Sequence, residues 1–388
     1  MAIRLVLILL LSGCATSPSQ READSCPQGT TQTTDERAGR QEIYCITEAG
    51  LKHGTWVVFE NDVLREKGEF NAGLREGIWT FFHPNGEKQS EGKYLAGAQV
   101  GEWSFWYETN GLSAIGSYLA GAPHGEWKSY YINGELYSEG KYEKGLQVGI
   151  WTHYWENSNV QSRGLWIKGK KDGPWEHFHR NSRMESSGRY SDDQADGPWT
   201  FWTEEGRILD KGEYADGLAV GEWEHFYPTG SPRAKGSYEA NAQDGTWKFW
   251  HQNGQVESQG RYVAGMAHGP WEFYDPEGLL REEGEYLEDI RVGPWKGYEK
   301  GQLRYEGLFD EYRTGKWTFY HDDGQTPRSS GEYEMGMEVG EWTFWNASGE
   351  LESKGAFFQG SRHGTWLFWE NRDSAPIEVR YEAGNKVP

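Results

Sequence analysis

Gly77-Ile-Trp79-Thr-Phe81-Phe82-His-Pro-Asn85-Gly86-Glu-Lys-Gln-Ser-Glu-Gly92-Lys-Tyr94-Leu-Ala-Gly97-Ala-Gln-Val-Gly101 is the stretch that decides the fold. Asn85-Gly86 between two alternating segments is a hairpin signal, because a two-residue type I′ turn requires positive φ at both central positions. Such a turn pairs Trp79 with Gly92 and Gly77 with Tyr94. A second two-residue turn at Gly97-Ala98 then pairs Trp103 with Gly92 from the other side and Tyr94 with Gly101. Both large aromatics are thereby expected beside glycines, over which a ring can lie flat and shield the bare backbone.

The stretch recurs. Gly-x-Trp appears fourteen times, with Trp at 56, 79, 103, 127, 151, 175, 199, 223, 247, 271, 295, 317, 342 and 366, and ten of the thirteen intervals are 24 residues. A fixed period of this length means one supersecondary unit stacked many times. The expected fold is all-β: an elongated single-layer antiparallel sheet or solenoid of about 14 β-hairpin repeats. At ~4.8 Å per strand such an array would span on the order of 130 Å before twist shortens it. Alternation puts Trp79, Phe81 and Tyr94 on one face and Phe82 on the other. A second aromatic column follows each Trp by three, from Phe59 and Phe82 to Trp345 and Trp369.

Composition agrees with this plan. Aromatics are 15% of the chain and Gly numbers 52, so rings rather than aliphatic side chains are expected to supply the buried area. The net charge of −21 repels nucleic acid and anionic headgroups and tolerates cationic or neutral partners. No nucleic-acid partner is expected.

The chain starts with Arg4, a short apolar run and small residues, which reads as a secretory signal too short to span a membrane. Leu11-Ser12-Gly13-Cys14 resembles the bacterial lipoprotein box, which implies lipidation at Cys14, removal of 1–13, and a membrane anchor in the bacterial cell envelope, at the outer membrane or on a periplasmic or surface face. An ordinary signal peptide cut near Ala15 is the other reading. Polar residues 14–40 are expected to form a disordered tether and 41–53 an N-terminal cap, with the repeat array over 54–388. Cys26 and Cys45, in a chain bound for an oxidising compartment, are either a disulfide closing the cap or two free thiols in a flexible leader.

Gly-x-Tyr-x-x-Gly-x-x-x-Gly-x-Trp, as in 92–103, 140–151 and 260–271, resembles the MORN repeat. Trp127-Lys-Ser-Tyr130-Tyr-Ile-Asn133-Gly134 is similar to the bacterial variant often labelled antitoxin-like. The resemblance implies a single-layer antiparallel sheet used for scaffolding or dimerisation; the antitoxin label implies a neutralising role toward a toxin partner. A looser resemblance to choline- and glucan-binding wall repeats rests on Trp106-Tyr107, Tyr130-Tyr131 and Tyr154-Trp155.

No cofactor, metal or catalytic site is expected. The histidines keep to repeat columns, and equivalent positions about 10 Å apart cannot share a zinc with ~2 Å bonds. The 60 carboxylates are spread along the array, and no phosphate loop, nucleophile elbow or His-Glu-x-x-His motif is present. Two function classes follow. One is a non-enzymatic, membrane-anchored scaffold or spacer that binds another protein. The other is a carbohydrate or cell-wall glycan module using Trp106, Trp202, Trp250, Trp345 and Trp369, provided those indoles are open to solvent.

Overall fold

The computed structural model describes residues 26–388, so Cys14 and the leader lie outside the described residues. The described chain divides into two units, up to Lys170 and from Lys171 onward. All its regular structure is antiparallel strand, without a helix.

The first unit begins with β1 (Thr30–Arg37) and β2 (Arg40–Thr47), followed by β3 (Lys52–Glu60), β4 (Val63–Asn71), β5 (Leu74–Phe82), β6 (Lys88–Leu95) and β7 (Ala98–Trp106). Each pairs with the next. The hairpins continue to Val160–Ile167 in this unit, and the second unit repeats them from its first strand to Asn385–Val387. Thr30–Arg37, expected within the tether, is strand: its Thr-rich segment pairs along its whole length with β2, and Cys26 is disulfide-bonded to Cys45 with Cα atoms 5.7 Å apart. The cap is therefore a hairpin starting near residue 30 rather than a segment starting at 41.

Trp79 pairs with Gly92, Gly77 with Tyr94, and Gly92 with Trp103, as the repeat arithmetic requires. The turns that achieve this register differ from those expected. At Asn85-Gly86 only Gly86 has positive φ (85°). His83 N–H donates to Glu87 O, and Gly86 N–H to His83 O. That is a three-residue loop with its last residue left-handed, not a two-residue type I′ turn. A bulge between Phe81 and Phe82 in the ladder then restores the pairing of Phe81 with Ser90.

The other turn is two-residue, but at Ala96-Gly97, with φ of 47° and 82°. It pairs Tyr94 with Gln99, not Gly101. Two residues, Gly101 and Glu102, bulge out before Trp103 rejoins Gly92. The glycine of Gly-x-Trp thus supplies the positive φ of a bulge, 67° at Gly101, rather than a floor for Tyr94.

Candidate functional site: two aromatic faces

On one face the indoles lie on glycine. A Cβ on Gly92 would sit 2.2 Å from Trp103 Cδ2, and the same contact recurs from Gly68 under Trp79 to Gly355 under Trp366. Each ring rests on the glycine of the preceding strand. The bulge opens the ladder there, and the Trp103 indole N–H donates to Lys93 O at 3.3 Å; Trp79 does so to Glu69 O and Trp247 to Ser237 O, both at 3.0 Å. An indole thereby loses its water on one ring face while its N–H stays satisfied.

Neighbouring rings close the other sides. Phe81 stacks between Trp79 and Trp103 at 6.0 and 6.3 Å. Tyr94 does not lie over a glycine. It stands edge-on to the same two indoles, at 5.9 and 5.3 Å. Several indoles carry a cation on top: Arg75 Cζ lies 4.2 Å from Trp79, Lys171 Nζ 4.3 Å from Trp175, and Arg362 Cζ 4.4 Å from Trp366. Every indole of this column is buried except Trp127, which is half-buried. Trp127 follows the same pattern, but its strand has Ser129 where Phe81 and Phe105 stack in the repeats before it. The first repeat is atypical in another way: Tyr44 replaces the glycine opposite Trp56, and the Trp56 indole nitrogen is buried without a partner.

The histidines divide by column. His153, His177 and His225 stand in the place of Phe81 and stack on Trp151, Trp175 and Trp223 at 6.2, 5.8 and 6.0 Å. Those four residues past Trp staple each repeat to the next. His83 Nε2 lies 2.8 Å from Trp106 O and His179 Nε2 2.9 Å from Trp202 O. His321 Nε2 does the same to Trp345 O at 2.8 Å. A carbonyl only accepts, so Nε2 carries the proton. Tyr107, Tyr131 and Tyr227 make the equivalent bond through their hydroxyls, to Tyr130 O, Tyr154 O and Trp250 O. Sequence spacing identified this column; the tyrosines that share its role were not read as its members. Among the described residues no cluster of His, Cys, Asp and Glu is arranged to hold a metal ion.

The opposite face carries the second aromatic column. Trp106, Trp202, Trp250, Trp345 and Trp369 are all half-buried. Lys88 Nζ lies 5.5 Å from the Trp106 ring and Lys248 Nζ 5.8 Å from Trp250. Between these rings run solvent-screened ion pairs, Lys235 with Glu222 and Glu224 at 2.8 and 3.1 Å and Lys128 with Glu139 at 3.2 Å. Tyrosines of the column donate to carboxylates: Tyr154 to Glu139 at 2.8 Å and Tyr320 to Glu306 at 2.7 Å. Burial, reinforced by the carboxylate, pushes both hydroxyls up to about 12. The Tyr154 hydroxyl, with Lys128, holds the Glu139 carboxyl below its usual range.

A model of the MORN repeat variant matches residues 75–96, 123–144, 219–240, 243–264 and 267–288. Five hairpins of the array thus match the MORN repeat variant. The MORN repeats so matched run from the two-residue turn, through the Trp strand, to the next two-residue turn. Comparison with curated proteins finds no match. Among solved structures, TcdB2-TccC3 without its hypervariable C-terminal region aligns with 90% of this chain at 10% identity and a TM-score of 0.16; the chain spans about a quarter of that one, 25%, and so low a score carries no argument.

Proposed function

We propose that this chain is a non-enzymatic envelope lipoprotein, anchored through Cys14, whose MORN array serves as a scaffold or spacer binding another protein. The observation that carries the reading is the division of labour between the faces. Trp, its glycine, the stacked ring and the staple at His83 or Tyr107 all serve the next repeat. The opposite face repeats the same backbone under side chains that vary from Lys128 to Glu224 to Thr318. A regular frame with a variable surface suits recognition of a macromolecule, whereas catalysis needs convergent groups in a cleft. Replacing Cys14 with Ala is expected to move the protein from the membrane to the soluble fraction; membrane retention of that variant would refute the anchor.

The half-buried indoles support a second reading, stacking on cell-wall glycan. Sedimentation with purified peptidoglycan separates the two. The scaffold reading expects the protein to stay in solution. Retention that is lost when Trp106, Trp202, Trp250, Trp345 and Trp369 become Ala would replace it with the glycan reading. An antitoxin-like neutralising role is the least favoured, because an envelope address separates the chain from a cytoplasmic toxin.

A further inference from the structure

Most positions opposite the stacked rings, two residues before the floor glycine, are small: Ser90, Ser138, Ser258 and Ser353, for example. Three are carboxylates: Glu66, Asp210 and Glu282. At two of these the chain supplies its own guanidinium from four residues before the Trp. Arg75 lies over Trp79 at 4.2 Å with Nη2 3.3 Å from Glu66 Oε2. Arg291 lies over Trp295 at 4.3 Å and reaches both oxygens of Glu282, at 3.4 and 3.3 Å. At the third, Trp223 and Asp210 hold the same places in the repeat, but the residue four before the Trp is Ala219. A cleft of about 420 Å³ opens there, walled by Phe201, Tyr214, Trp223 and Tyr238.

We infer that this cleft takes the guanidinium of an arginine side chain presented by a partner protein. The inference rests on the scaffold reading and adds the chemistry of the partner. A flat guanidinium stacks on the Trp223 indole between Tyr214 and Tyr238 and donates to Asp210, as Arg75 and Arg291 do within their own repeats. Two groups already face Asp210, both at Oδ1: His225 Nδ1 at 2.5 Å and Arg233 Nη2 at 3.7 Å. The Arg233 contact is beyond hydrogen-bond length and its side chain is half exposed, so it yields to a better-placed donor. Oδ2 is left for the incoming group. His225 Nε2 is buried without a partner, an acceptor whenever the ring is neutral. The net charge of −21 draws basic partners to the surface.

The test is calorimetric titration of the full chain with the capped peptide Gly-Gly-Arg-Gly-Gly and its citrulline counterpart, which keeps the shape and removes the charge. The arginine peptide is expected to bind roughly tenfold or more tightly than the citrulline one, the loss that removing a charge-assisted bond brings. Asp210→Asn and Ala219→Arg should each weaken it by a similar factor, and Arg291→Ala should open a second site beside Glu282 and raise the stoichiometry. Equal binding of both peptides, or an arginine peptide indifferent to Asp210→Asn, overturns the inference even if Ala219→Arg fails to fold. A lysine peptide that binds as tightly as arginine overturns the guanidinium assignment. Should Ala219→Arg lose the peptide yet keep a cross-linked envelope partner, the cleft inference stands and that partner docks elsewhere. Loss of the peptide effect with the partner retained in wild type leaves the scaffold reading intact and this one refuted.

Discussion

Trp103 and Trp106 sit three residues apart on one strand and meet opposite fates. Trp103 is 1% exposed; Trp106, on the other face, is half-buried. Residue type does not separate them, since both are indoles in a sheet of small thickness. The difference is what lies beneath. Trp103 rests on Gly92, whose missing side chain lets the ring press on the backbone, with Phe81, Phe105 and Tyr94 around it. Trp106 pairs with Leu112 across the strand and has Lys88 at its ring. Burial of these indoles comes from stacking between neighbouring repeats.

Alkaline pH should act on many repeats at once and produce the largest effect. Half-buried tyrosines such as Tyr154, Tyr274 and Tyr320 are pushed up from 10.0 to about 12 by partial burial, aided by Glu139, Glu272 and Glu306. Because the folded values lie above the unfolded ones, stability is intact below about pH 10 and falls as pH rises toward 12, where the unfolded chain ionises first. Phenolate absorbance should therefore rise together with loss of the β circular-dichroism signal. Free titration near pH 10 in a folded chain would show that these hydroxyls are open to water.

Gly92→Ala sharpens the contrast between faces and between glycines. Its Cβ would meet the Trp103 ring at 2.2 Å, so a cost of about 3 kcal/mol is expected from displacement of ring and strand. Gly101→Ala meets nothing within 4 Å and carries only the strain of a left-handed residue, about 1 kcal/mol. Denaturant melts in which the two variants lose equal stability would mean that the glycine floor has no special role.

The smallest effect is at the staple. His83→Leu removes the donor to Trp106 O and should cost about 1 kcal/mol, whereas His83→Tyr should be nearly neutral because Tyr107, Tyr131 and Tyr227 already make that bond. Hydrogen exchange at the 106–112 loop reads this locally. Equal protection in both variants would remove the staple from the account.

The Trp79–Gly92–Trp103 register was legible because glycine and indole recur with one period, although the turns that set it are not those that Asn85-Gly86 and Gly97-Ala98 suggest. A three-residue loop ending at Gly86 and a bulge beyond it offset each other by one residue, which leaves the same register as a two-residue turn. Ala96 at positive φ carries no sequence signal, since alanine has no special tolerance for that region. Strand Thr30–Arg37 was missed for a related reason: a polar Thr-rich segment reads as a tether until its pairing partner and the Cys26–Cys45 bond are seen.

The cleft at Trp223 is not legible in the sequence, for a different reason. Ala219 and Trp223 are each ordinary at their positions, and only their coincidence with the carboxylate of Asp210, set against Arg75–Glu66 and Arg291–Glu282, marks the place.

Period, composition and the alternation of side chains along a strand determined by themselves that this is a hairpin array with glycines against its indoles, because those are local and repeat with the chain. Which aromatic column is buried, where the bulges fall and where a cleft opens beside an indole were decided only in three dimensions. They depend on contacts between strands and on backbone groups that must find partners, and residues distant in sequence supply both.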